Sequence, residues 1–331
     1  MLHLNNKTPF ELSFTAITGA DGCDALAIYL SASCQLIEGR WRVCDEQIAA
    51  PLGDEPWDPE APSSIRFPSQ VSFDKPATDI IVNGAAVVPE GKTATALQAG
   101  VEVANLKAAV NVYGERIWHH GQISAPKPFE RIPLILENAF GGSEWVDEEE
   151  LRYLHNPFGM GWRPETVGEA HYHGVLLPHI EWPDQLIQRP KDRPQPAGFG
   201  AVPVQSPSRV EWAGSWDEQW QQQRAPFVPD DFNPRFFCAA IPALQYPGEL
   251  PANAPVRLSY LNRQPEAVFE LPGMRPTGLV TTRDGEQPLT FTLQTVVIES
   301  EALIVRMFWQ AFTPIKRTVA DIYEMKVLLS R

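Results

Sequence analysis

Residues 289–312 read Leu289-Thr290-Phe291-Thr292-Leu293-Gln294-Thr295-Val296-Val297-Ile298, then Glu299-Ser300-Glu301, then Ala302-Leu303-Ile304-Val305-Arg306-Met307-Phe308-Trp309-Gln310-Ala311-Phe312. Both arms are rich in β-branched and aromatic residues, whose stiff or broad side chains fit a pleated, half-buried surface. A short polar break separates them, so the stretch reads as an antiparallel hairpin.

Outward from that hairpin, the same period-two alternation recurs along the chain, while a period of 3.6 is rare. Asp79-Ile80-Ile81-Val82 runs into Asn83-Gly84, a strong two-residue hairpin signal, with Ala85–Val88 as the return arm. Gly100–Ala104, Lys107–Tyr113 and Arg116–His119 read as a meander with Gly114-Glu115 at one turn, and Phe129–Leu136 as a further strand. Val319–Leu329 reads either as a strand beside the C-terminal hairpin or, through its Ala, Glu, Met and Lys, as a helix.

Helix signals are few and short. Asp147–Leu154 is one. Trp216–Arg224 is the other, with Ser215 as its N-cap and Asp217-Glu218 in a first turn where the helix dipole favours negative charge. The 32 prolines in 331 residues exceed the usual share of about one in twenty and oppose long helices, since proline has no N–H for the ladder. Seven of them, from Pro178 to Pro207, fall in Leu176–Arg209, which reads as extended surface chain. Ile180, Trp182, Phe199 and Val202 within it imply that this chain is docked rather than free.

The expected fold is therefore mainly β: sandwich-like antiparallel sheets with long proline-rich connections and a few short helices. Residues 1–331 read as one domain, or as two packed β lobes, 1–175 and 240–331, joined by the docked proline- and aromatic-rich segment 176–239.

The net charge of −14 would repel phosphate backbones, and no Lys/Arg stripe offers counterion release, so nucleic acid is not an expected partner. Residues 1–62 hold ten acidic side chains against Lys7, Arg40 and Arg42, half of the whole excess. That N-terminal acidity is a solvated face or a surface that steers a basic partner. The stretch Met1–Lys7 has no signal-peptide pattern, and no run stays apolar for a spanning length of about 18 residues. The expectation is a cytoplasmic protein with no membrane partner. Cys23, Cys34, Cys44 and Cys238 form no CxxC pair and read as reduced thiols.

Candidates for chemistry are sparse. His171 and His173, with His155 and His179 nearby in sequence, make a metal pair if they lie on a strand, where positions i and i+2 share a side; otherwise they are surface or structural histidines. His119-His120 is a weaker pair, because neighbours on a strand face opposite ways. Gly141-Gly142 and Gly159-Met160-Gly161 are too short to cradle phosphate and read as turns, as do Gly198 and Gly200. There is no GxSxG elbow. Glu137, Asp217 and Asp231 are the first suspects for a glycosidase carboxylate pair. No cofactor is expected.

Aromatic residues carry more information. Trp212, Trp216, Trp220, Phe227, Phe232, Phe236 and Phe237 crowd a short span interleaved with Arg209, Arg224 and Arg235. The cluster is either a loop-rich subdomain stabilised by buried rings or an interaction platform, with Trp216, Trp220, Arg224, Phe232 and Arg235 as the partner-binding candidates.

Blocks spanning these residues resemble a widespread bacterial family, once known only as a domain of unknown function, that is associated with type VI secretion as an accessory or adaptor. They are Phe73–Asp79, Gly114–Trp118, Pro128–Leu134, Glu137–Gly142, Asn156–Gly161, Leu177–Glu181, Pro196–Gly200, Trp216–Trp220, Arg224–Pro226, Pro229–Phe237, Phe269–Gly273 and Thr295–Glu299 with the strand up to Trp309. The blocks are collinear over about residues 70 to 310. The resemblance implies a non-enzymatic adaptor or chaperone whose partners are a toxic effector, a PAAR-type tip protein and a spike protein of the valine-glycine-repeat type. It carries no catalytic residue onto this chain. The alternatives are a carbohydrate-acting enzyme or glycan-binding β module, suggested by tryptophans beside carboxylates, and a structural component of the secretion apparatus.

Overall fold

The computed structural model describes residues 2–329. Among the described residues the hairpin read first from the sequence lies at the centre of a seven-stranded sheet. Its order is Gln245–Pro247, Ala77–Asn83, Thr292–Glu299, Ile304–Pro314, Asp24–Ile37 and Glu11–Thr18, with Arg40–Val43 paired to Asp24–Ile37. Every residue from Leu26 to Cys34 is buried, so both faces of the sheet are covered there and the strand needs no polar side.

A five-stranded antiparallel sheet runs Ile180–Glu181, Leu106–Tyr113, Ala96–Val103, Pro255–Ser259, Glu266–Glu270. Its last two strands alternate buried and exposed residues, the mark of one covered face. A four-stranded sheet runs His3–Asn6, Ile322–Leu329, Pro276–Thr282, Gly285–Thr290. Buried side chains of all three sheets, including Ile81, Val101, Leu258, Val297, Phe308 and Met325, join in one core. No described helix is long and apolar enough to cross a membrane.

The mainly-β expectation holds, with two refinements. The sheets are mixed, since Ala77–Asn83 pairs parallel with Thr292–Glu299 and His3–Asn6 parallel with Ile322–Leu329. Each of the three sheets also holds strands from both 1–175 and 240–331, so the two stretches share one hydrogen-bonded framework.

Several local expectations change. The run 289–298 is not one strand: Gly285–Thr290 belongs to the four-stranded sheet, and the chain crosses at buried Phe291 into Thr292–Glu299 of the seven-stranded one. Asn83-Gly84 makes no hairpin: Thr292–Glu299 lies along one side of Ala77–Asn83, and on the other Gln245–Pro247 pairs with residues 77–79 while the Phe199 carbonyl accepts the Val82 N–H. Ala85–Val87 pairs with Arg131–Pro133 instead.

Asp147–Leu154 is not a helix. Asp147 and Glu148 both take positive φ (47° and 68°) and turn a hairpin between Ser143–Val146 and Glu149–Arg152, the geometry that suits a two-residue β-turn. Val319–Leu329 resolves into a 3-10 turn, Val319–Asp321, and the strand Ile322–Leu329, which pairs in the four-stranded sheet and not beside the C-terminal hairpin.

Candidate functional site

The proline-rich segment docks as expected: Ile180 and Phe199 are fully buried, and the Phe199 carbonyl accepts the Val82 N–H at 2.9 Å. It thereby becomes one wall of a groove of about 430 Å³. Trp182, Pro196, Gly200 and Val202 of this segment line it together with Leu134–Leu136, Trp57, Ile65 and Ile241–Ala243. The walls are held by specific polar contacts. Trp182 Nε1 donates to the Pro196 carbonyl at 3.1 Å, and Val202 N–H to that of Ala239 at 2.7 Å. Glu137 accepts from Ser64 N–H and Oγ at 2.7 and 2.6 Å, tying the stretch with Trp57 and Ile65 to the one with Leu134–Leu136. Most of the lining is apolar, and the His155 ring borders it with a buried Nδ1 that has no hydrogen-bond partner.

A short helix, Pro207–Val210, follows the groove rim at Ser206. Buried Arg209 anchors it, donating from Nε to the Phe236 carbonyl at 2.9 Å and from Nη1 to that of Val202 at 3.0 Å, with its guanidinium over the Phe236 ring. Burial pushes the Arg209 pKa below its usual value.

The chain then enters the aromatic loop, where the five partner-binding candidates divide. Trp216 is 53% exposed and meets half-buried Trp220 edge-on, with ring centroids 4.6 Å apart. Phe232 is packed against Phe73, Phe236 and Phe237. Arg224 is structural: its Nη2 donates to the Ala20 carbonyl at 2.6 Å and its Nε to that of Val228 at 3.0 Å, docking the loop on the turn before the strand Asp24–Ile37. Arg235 is exposed and lies over the Trp212 ring at 5.1 Å. Of the five, Trp216 and Arg235 are exposed, and Trp220, Arg224 and Phe232 are half-buried.

The helix in this loop, Glu218–Gln223, is capped by Asp217, which accepts the Trp220 N–H at 2.9 Å. Ser215, expected as the cap, instead donates its N–H and Oγ to Asp231 at 2.9 and 2.7 Å. The Ser215 backbone N–H is the main reason that the Asp231 carboxyl is held below the usual carboxylate range. Glu137, Asp217 and Asp231 are thus each engaged as local hydrogen-bond acceptors.

The histidines regroup. His171 lies in a 3-10 turn, Glu169–Tyr172, and not on a strand, so the i, i+2 argument does not apply to it and His173. His179 donates from Nδ1 to the Tyr113 carbonyl at 2.9 Å, in the tautomer that carries the Nδ1 proton. The group that comes together is His119, His120 and His173, all exposed, with ligand nitrogens within 4.8 Å of one another. His119 ends the strand Trp118–His119, and His120 turns back with φ of 48°, so adjacent residues share a side after all.

The groove was not legible in the sequence, because its lining comes from five separated stretches. The nearest signal was the apolar content of the proline-rich run. Residues 21–310 match the family described as an uncharacterized protein conserved in bacteria (DUF2169), and the chain belongs to that family. No curated protein and no solved structure matches it.

Proposed function

We propose that this family member is a non-enzymatic adaptor of the type VI secretion system, which holds a toxic effector or a PAAR-type tip protein in the cytoplasm and passes it to the valine-glycine-repeat spike. The observation that carries this reading is the groove, a preformed cleft of about 430 Å³ with mostly apolar walls and few polar groups. Such clefts bind by burying apolar surface, with the polar groups fixing orientation. Exposed Trp216, edge-on to half-buried Trp220 in the aromatic loop, adds a residue type enriched at binding hot spots. The collinear sequence blocks support the secretion assignment, and the net charge of −14 favours a basic partner.

The test is co-purification of wild type, Gly200→Phe and Trp216→Ala/Trp220→Ala from cells that co-express a PAAR-type tip protein and a toxic effector. Gly200 lines the groove, and a Cβ built there meets nothing within 4 Å, so the phenyl ring fills the cleft without disturbing the core. Gly200→Phe is expected to retain its melting temperature and lose the partner; the tryptophan variant is expected to weaken the complex. Full recovery of the partner by both folded variants would overturn the reading. So would sugar-dependent thermal stabilisation with turnover of a glycan.

A further inference from the structure

The hairpin Trp118–His119/Gln122–Ile123 puts a fully buried Trp118 into a small second core with Phe140, Tyr172, Val175 and Leu177. That packing accounts for Trp118 but not for the histidines on the outer side. His119, His120 and His173 converge there, with ring centroids 4.6, 4.6 and 5.2 Å apart. His120 and His173 are 53 residues apart in sequence.

Their backbones are fixed by direct bonds. The Trp118 N–H donates to the Val175 carbonyl at 3.0 Å, and the Gly174 N–H to the Trp118 carbonyl at 2.8 Å. The rings themselves are exposed. Three exposed imidazoles thus stand over this small core, with His173 Nδ1 accepting the His120 N–H at 3.4 Å.

We infer that His119, His120 and His173 form a three-imidazole site for a divalent transition ion of the Zn²⁺ class. Three nitrogens at about 2.0–2.1 Å from one tetrahedral Zn²⁺ stand ~3.3 Å from each other. The three ligand atoms already lie within 4.8 Å of one another, so ring rotation closes the remaining gap. Neutral imidazole is a ligand suited to Zn²⁺, Cu²⁺ and Ni²⁺, whereas Mg²⁺ and Ca²⁺ prefer oxygen. Three protein ligands leave the fourth position open to water or to a donor from outside the chain. The acidic chain favours cation approach, and the αL backbone at His120, uncommon for a residue with a side chain, is what brings its ring to the same side as that of His119.

The site is independent of the groove and of the adaptor reading, and the experiment needs neither partner nor activity. Tag-free full-length protein, stripped with chelator, is titrated with ZnCl₂ by calorimetry, and bound zinc is counted after dialysis. The expected result is one ion per chain, with a rise in melting temperature, because an ion that binds only the folded state stabilises it. His119→Ala/His120→Ala/His173→Ala is expected to abolish the isotherm. His173→Ala alone should weaken binding by more than the roughly tenfold to hundredfold that follows loss of an outer-shell partner. His171→Ala, next to the cluster but outside it, should bind as wild type does. All four positions are exposed, and melting in the absence of metal verifies that each variant is folded. Absence of zinc binding by the wild type, or an unchanged isotherm in the folded triple variant, would overturn the inference.

Discussion

The carbonyl oxygen of Asn156 presses on Gly141 so closely that a Cβ at Gly141 would lie 2.1 Å from it. Two of the sequence blocks, Glu137–Gly142 and Asn156–Gly161, meet at this point. Phe140–Gly141 pairs parallel with Met160–Gly161, and the Asn156 carbonyl accepts the Gly142 N–H at 2.9 Å. Fully buried Asn156 also donates from Nδ2 to the carbonyls of Leu136 and Phe140, at 2.8 and 3.1 Å. The contact is with backbone and cannot rotate away, and Gly141 has a φ of 153° that side-chain-bearing residues rarely adopt. Gly141→Ala is expected to destabilise by about 3 kcal/mol, read as a lower urea midpoint at unchanged m-value. Asn156→Ala should cost about 1–3 kcal/mol through two carbonyls left without their donor. A Gly141→Ala midpoint equal to that of wild type would refute the argument.

Lys75 and Asp79 form an ion pair of 2.8 Å with side chains only 5% and 0% exposed. The Lys75 ammonium also donates to the Gln294 carbonyl and to Thr295 Oγ1, at 2.9 and 3.2 Å, and Asp79 Oδ2 accepts the Ala239 N–H at 2.6 Å. The pair therefore bolts the entry to the strand Ala77–Asn83 onto Thr292–Glu299 on one side and onto the end of the aromatic loop on the other. Breaking a buried pair from one side leaves an uncompensated charge, at about 3–5 kcal/mol. Lys75→Met should lose that much in chemical denaturation, and Lys75→Met/Asp79→Asn should recover part of it, giving a large coupling in a double-mutant cycle. Additive effects of the two single changes would argue against the pair.

These two relationships mark what was legible in the sequence and what was not. Period-two alternation reported that 304–312 and 107–113 are strands, because alternation is a property of one strand against one core. It said nothing of which sheet a strand joins, a choice made by partners far away in sequence. For that reason the crossing at Phe291 and the departure of Ala85–Val87 from its apparent hairpin were invisible. Gly141 and Gly159 were read as turn residues, whereas their small size serves the close crossing of two backbones. The groove and the histidine cluster escaped for the same reason, since each is assembled from segments tens of residues apart. The aromatic loop was legible as a cluster, but its composition could not separate exposed Trp216 from Phe232, half-buried against Phe73, Phe236 and Phe237.

The cysteines give a pH-dependent test. Burial pushes the thiols of Cys34 and Cys238 up to about 11, and burial also raises the Tyr29 hydroxyl to about 12. In the unfolded chain these groups return to their ordinary values. Between pH 9 and 11 the unfolded chain has therefore released thiol protons that the folded chain still holds, and stability must fall as pH rises through that window. The stabilisation is fully present below the unfolded-state values. Reactivity follows the same order. Thiolate is the nucleophile, and with a pKa of about 11 only about one in a thousand of the Cys34 and Cys238 thiols is ionised at pH 8. Cys23 is exposed and accessible, although its hydrogen bond with Asp21 raises its pKa as well. An aromatic disulfide reagent at pH 8 is expected to label Cys23 first, to reach Cys34 and Cys238 only when denaturant is added, and to show no fast phase in Cys23→Ser. Replacing Cys34 and Cys238 by alanine should flatten the loss of stability above pH 9. Rapid native labelling of either thiol would contradict its burial.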